Sequence, residues 1–182
     1  MVCNNKGLNG RGLRRCALTL CLGAASASLV ADDRNLSVGV GSQALALSYA
    51  ESESQQLFLG PRVHLSAAHR YFRIVGTVYQ TVDQTDATLR VDGFSLDIHT
   101  GVNLDSQGWT AYVGVGQFQE TWLVDYQPEL EAVAYYVSAG GGYHFKRGSL
   151  EAEWQMRGNP YGGLDTPPDA YMAASVSLSA RF

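Results

Sequence analysis

From residue 35 onward the chain alternates apolar and polar positions with a period of two, run after run, and no stretch of convincing length repeats at helical spacing. A strand sends successive side chains to opposite faces, so each run predicts a strand with one oily and one wet side. The pattern is clearest where Phe94, Leu96, Ile98, Val102 and Leu104 alternate with Ser95, Asp97, His99, Gly101 and Asn103. The same reading predicts strands over residues 35–49, 56–65, 71–80, 109–119, 133–145, 150–157 and 171–182, about eight in all. In the first, Leu36, Val38 and Val40 hold one phase and Leu45, Leu47 and Tyr49 the other, which predicts a bulge near Gly41 and Ser42. Pro61 has no N–H to give a ladder, so the second strand needs a bulge or a locally unpaired position there.

The connections alternate in length. Short ones fall at 66–70, 105–108 and 146–148; long ones fall at 50–55, 81–88, 120–132 and 158–170. Short turns at one end and long loops at the other predict a single closed, antiparallel, up-and-down all-β barrel. Charge sorts the same way. The short turns carry His69, Arg70, Lys146 and Arg147, and the long loops carry Glu51, Glu53, Asp83, Asp86, Asp125, Glu129, Glu131, Asp165 and Asp169. Aromatics gather near the short turns (Phe72, Trp109, Tyr143, Phe145, Phe182) and toward the long loops (Tyr49, Tyr79, Trp122, Tyr135, Tyr171), which reads as two belts.

Periodicity alone leaves open which face is outside. With the oily parity inward the chain is a soluble barrel of lipocalin type; with it outward, the barrel spans a membrane. The loop alternation, and the Gly, Ala and Ser mixed with charge on the wet parity, favour the second. In eight strands the lumen is just wide enough for side chains to fill. Arg62, His64, Arg73, Asp97, His99, Glu151, Glu153 and Arg157 would then meet inside as a network of paired charges. Gly101, Gly114, Gly116, Gly140 and Gly142 would make room for them.

The N-terminal residues have the layout of a secretory signal peptide, 1–27. Lys6, Arg11, Arg14 and Arg15 precede the apolar residues 16–27, and Ala25-Ser26-Ala27 offers a cleavage site, with a cut after Ala31 as the alternative. Cys3, Cys16 and Cys21 all lie in that leader, so the mature barrel, 32–182, has no thiol for a disulfide or a metal. The leader also holds four of the 13 basic residues and none of the 17 acidic ones, leaving nine against 17, a net charge of −8. So acidic a chain is a poor partner for nucleic acid.

The last segment carries Met172, Ala174, Val176, Leu178, Ala180 and Phe182 on its oily parity and ends on that aromatic. An apolar face closing on a terminal Phe resembles the final strand of bacterial outer-membrane barrels, and the whole mature chain resembles the small eight-stranded class that includes OmpX, Ail and the OmpA membrane domain. The resemblance implies outer-membrane localisation. It implies contact with lipid and lipopolysaccharide, and recognition of Val176, Leu178, Ala180 and Phe182 by the barrel-assembly machinery. No H-x-x-x-H or carboxylate–His spacing recommends a metal, and no cofactor is expected. The leading expectation is a non-enzymatic barrel with a structural or surface-interaction role, whose acidic loops could meet an unknown ligand or bridge cations to lipopolysaccharide. The alternatives are a small conduction path and a lipid A-modifying enzyme. For the enzyme, the deacylase relatives carry a His-x-Ser-Asn word where this chain has residues 153–159 with neither His nor Ser, and the only triad-like group is Ser95, Asp97 and His99.

Overall fold

A computed structural model describes residues 35–49, 54–125, 127–159 and 168–182. The expected leader, the position of its cleavage, and Glu51, Glu53 and Asp165 lie outside the described residues. Among those described, the chain forms eight strands: β1 (Leu36–Tyr49), β2 (Ser54–Ala68), β3 (Phe72–Asp83), β4 (Leu89–Val102), β5 (Gly108–Val124), β6 (Gln127–His144), β7 (Gly148–Arg157) and β8 (Ala170–Arg181). Each pairs antiparallel with the next, and β1 pairs with β8, so the sheet closes on itself. Closure leaves no edge along the shared part of the wall, and the backbone groups there find their partners in the ladder.

The oily parity faces out. Val38, Val40, Ile74, Val78, Leu96, Ile98, Val113, Val115, Val137, Val176 and Leu178 are all exposed on the outer wall, while Arg62, Arg73, Asp97, His99, Glu153 and Arg157 are buried within. Toward the long loops the arrangement inverts. There the outer positions become Gln80, Arg90, Asp92, Gln117, Gln119 and Thr121, and the inner ones become Leu45, Leu47, Phe58, Val91, Phe118, Ala132 and Ala173, which pack as one apolar cluster.

This inversion accounts for the phase change in β1. No bulge occurs at Gly41–Ser42: β1 keeps unbroken register with both β2 and β8, Gly41 opposite Arg62 and Ser177, Ser42 opposite Pro61 and Val176. Val40 is 60% exposed outside and Leu45 0% inside on one straight strand. The surroundings change phase, and the backbone does not. At Pro61 the ladder to β3 lapses for Gly60 and Pro61 and resumes in the same register, so a local gap replaces a bulge there too. The register shift that does occur lies between Trp122 and Leu123 of β5.

Other expectations are corrected. The stretch 120–132 is no long loop: β5 and β6 run through most of it as the longest hairpin of the wall. Tyr79 and Tyr171 are buried in the lumen, and Trp122 packs on the inner apolar cluster, so they form no outer belt. They share the parity of the inward charges, which overrides their nearness to the loops. Leu104 is also buried, because Asn103 adopts a left-handed φ of 56° and turns the chain beneath the barrel.

Four inward glycines sit opposite large inward rings. In register, Gly93 faces Tyr79, Gly114 faces His99, Gly116 faces Tyr136 and Gly140 faces Tyr112. A methyl group at any of the four would collide with that partner's ring. We expect Gly116→Ala to cost about 1–3 kcal/mol through overpacking. Tyr136→Ser in the same chain should recover part of that loss in urea unfolding of the refolded barrel. Losses that merely add would show that the two positions do not share this space.

Candidate functional site

The buried polar side chains of the lumen form the densest chemistry in the molecule. They come from alternate positions of all eight strands, so the period-two rule that oils the outer wall delivers them inward. All eight charged or titratable residues singled out from the sequence project into the lumen. They do not form one uniform set of ion pairs.

Near the short turns, Arg181 donates to the carbonyl oxygen of Ser106 at 3.1 Å, and His144 spans that carbonyl at 3.1 Å and Glu151 at 3.2 Å. Glu151 pairs across the lumen with Arg73 at 2.7 Å. Arg73 also reaches His99 Nδ1 at 3.1 Å and lies over the Tyr112 ring, 4.5 Å from its centre. His99 Nε2 sits 2.6 Å from Asp97 and 3.7 Å from Glu153. Tyr112 donates to Glu153 at 3.3 Å, and Gln155 donates to it at 2.6 Å. Arg157 donates to Gln155 at 2.8 and 3.0 Å, which carries the chain of contacts on toward the long loops.

There the central partner is a residue that alternation had assigned to a loop. Glu120 is fully buried, pairs with Arg157, and accepts from Tyr79 at 2.6 Å and from Tyr171 at 2.6–2.7 Å. The guanidinium of Arg157 lies within 4.7–5.8 Å of the ring centres of Tyr79, Phe118, Tyr136 and Tyr171, an aromatic box around one ion pair. Glu120 could have been found by extending the parity of Thr110, Tyr112, Gly114 and Gly116 past residue 119. The expected loop hid it.

Arg62 and His64 depart from the expectation in another way. Among the described residues neither has a carboxylate within 4 Å; Arg62 donates to Ser175 and to Thr77 at 3.2 Å, and His64 meets Ser179 at 2.9 Å. Serine hydroxyls on the β8 wall take the place of counter-charges.

Asp97, His99 and Glu153 bring three ligand atoms within 4.8 Å of one another, a spacing that suits a metal ion. The tautomer argues against one. A guanidinium only donates, so His99 Nδ1 facing Arg73 must accept, and the proton of the neutral ring lies on Nε2, the atom 2.6 Å from Asp97. A ligating His needs the reverse, a free Nε2 and an acceptor behind it. The same contact removes the triad, because the second nitrogen of His99 meets Arg73 and not a serine hydroxyl. Asn159 likewise donates to the carbonyl of Pro168 at 2.7 Å. In the loops, Asp83 accepts from the N–H groups of Thr85 and Asp86. Thr88 donates to the exposed Asp86 from its side chain and backbone, holding that carboxylate below its usual range. Glu131 and Asp169 are exposed near the long loops.

Among the described residues, side chains occupy most of the lumen around these contacts. Two small cavities of about 10 Å³ each lie on either side of the Arg73–Glu151 pair, each with room for about one water. Removing one member of a buried pair strands the other, at a cost of about 3–5 kcal/mol. Glu120→Leu and Arg157→Met are each expected to lower stability by that amount in urea titration of the folded barrel. The double variant should recover most of it. A double variant as weak as the sum of the singles would mean that the ion pair itself is not the unit of stability.

No family model matches the sequence, and no curated protein matches it. Solved structures do match in fold. Neisserial surface protein A superposes with a TM-score of 0.65 at 12% identity, over 81% of this chain and 97% of that one. The attachment invasion locus protein Ail of Yersinia pestis superposes with a TM-score of 0.52 at 12% identity, over 81% and 99%. At such identity the likeness is one of fold: the closed eight-stranded barrel of the small outer-membrane proteins.

Proposed function

We propose that this chain is an integral outer-membrane protein with a closed interior, which acts through its outer wall and loops and not through a reaction centre or a pore. The observation that carries this reading is the inversion of the wall. Soluble proteins rarely leave contiguous apolar patches above a few hundred Å², whereas here an apolar band encircles the barrel. On β8 it runs from Met172 to Phe182, ten steps of about 3.3 Å, or roughly 23 Å at a tilt near 45°, close to the band of about 25 Å expected of such barrels. Above the band the wall has the polarity of a soluble protein, as a segment standing in water requires.

On this reading residues 1–27 are a cleaved export signal. The exposed run Val176, Leu178, Ala180 and Phe182 is what the assembly machinery meets, and lipid and lipopolysaccharide surround the wall. The polar interior is a plug that fixes the barrel's shape. Acidic groups at the long-loop end, Asp86, Asp125, Glu131 and Asp169, face the medium and form the surface open to a ligand.

Val115→Arg, within the band, is expected to lower stability in lipid vesicles by about 2–4 kcal/mol, and Thr121→Arg, above it, by no more than about 1. Equal losses measured by urea unfolding would argue against a hydrocarbon boundary between the two positions. The conduction reading is tested in planar bilayers. A filled lumen predicts no discrete current steps from the refolded barrel, and reproducible single-channel openings would displace the plug.

A further inference from the structure

The short-turn rim carries a surface of a different kind. On the outer wall Trp109 of β5 and Tyr143 of β6 are register partners, with ring centres 5.4 Å apart and edge to face, and Phe145 continues the row 5.0 Å from Tyr143. Trp109 is 75% exposed. Directly after Phe145 the turn presents Lys146 and Arg147, both exposed. Below the aromatic row, toward the middle of the band, the next register pair is Ala111 and Gly141, so the wall steps down to small side chains between Trp109 and Val113. Two cations, an aromatic step and a shallow apolar lane therefore follow one another along one strand pair.

We propose that this surface is a binding site for an anionic glycerophospholipid, with the phosphate on Lys146 and Arg147, the glycerol region against Trp109, Tyr143 and Phe145, and an acyl chain along Ala111 and Gly141. The proposal rests on the membrane reading above and adds the lipid class. Charge complementarity selects the occupant. The aromatic row holds the headgroup level of a bilayer, where an amphipathic ring is wet at one end and dry at the other. Lys and Arg beside it attract anionic headgroups, each contributing about fivefold in affinity. Asp105, half-buried in the neighbouring β4–β5 turn, is one acid of this rim among the described residues. The β2–β3 turn repeats the pairing of cation and ring: Arg70 lies over Tyr71 at 5.3 Å, and His69 stacks on Phe72 at 5.2 Å. The opposite rim exposes Asp86, Asp125, Glu131 and Asp169 and would repel the same headgroup. The two ends of the barrel thus discriminate between leaflets by sign of charge.

Native mass spectrometry of the folded barrel, offered equimolar phosphatidylglycerol and phosphatidylcholine in detergent, tests this. Folding is checked first by the difference in gel mobility between boiled and unboiled samples. We expect retained phosphatidylglycerol to exceed phosphatidylcholine, the preference to fall roughly fivefold for each of K146Q and R147Q, and R90Q at the opposite rim to leave it unchanged. A folded barrel that retains both lipids equally would overturn the site while leaving the membrane reading intact, and so would a K146Q/R147Q variant with undiminished preference. A chain with no mobility shift would remove the membrane reading and this site with it.

Discussion

A protein wall one strand thick has to show alternate side chains to opposite faces, and closing it into a ring satisfies the backbone without a core of its own. Everything else in this structure answers the question of what each face then meets. Along most of the barrel the outer face carries Val, Leu and Ile and the inner face carries charge. Toward the long loops the assignment reverses, and Leu45, Phe58 and Phe118 turn inward as they would in a soluble protein. The backbone continues straight through the boundary. Only the environment changes, and the sequence is written to match it.

The inner face carries a second constraint, that charge withdrawn from water must be compensated where it stands. Arg73 and Glu151 meet across the lumen, and Asp97 and Glu153 converge on His99. Arg157 and Glu120 meet inside a box of rings, with two tyrosine hydroxyls on the carboxylate. Such a pair is weak evidence for net stability, since both ions were desolvated to form it, but losing either one is costly. What the network supplies is a fixed relation between strands far apart in the chain. Gly93, Gly114, Gly116 and Gly140 belong to the same arrangement, each lending its empty side to the ring on the strand beside it.

Much of this was legible in the residues. The eight runs, the closed topology, the outward set from Val38 to Leu178 and the inward set from Arg62 to Arg157 follow from period two. Composition misled where an apolar residue was taken as a marker of one face, or an acid as a marker of a loop. Leu45 and Leu47 looked like a slip of register. Tyr79 and Tyr171 looked like interface aromatics, although their parity already put them beside Arg73 and Arg181. Glu120 looked like a loop acid because acids crowd the segment around it.

The alternation by itself determined that this chain is a barrel wall with sorted faces, because side-chain direction in a strand is a local property of the backbone. It could not determine at what height the surroundings change from hydrocarbon to water, since that depends on where eight strands stand relative to one another. Nor could it pair Glu120 with Arg157, or Arg62 with Ser175 in place of an acid. Those contacts join residues on non-adjacent strands that are distant in the chain, and only the curvature and closure of the sheet bring them within hydrogen-bonding reach.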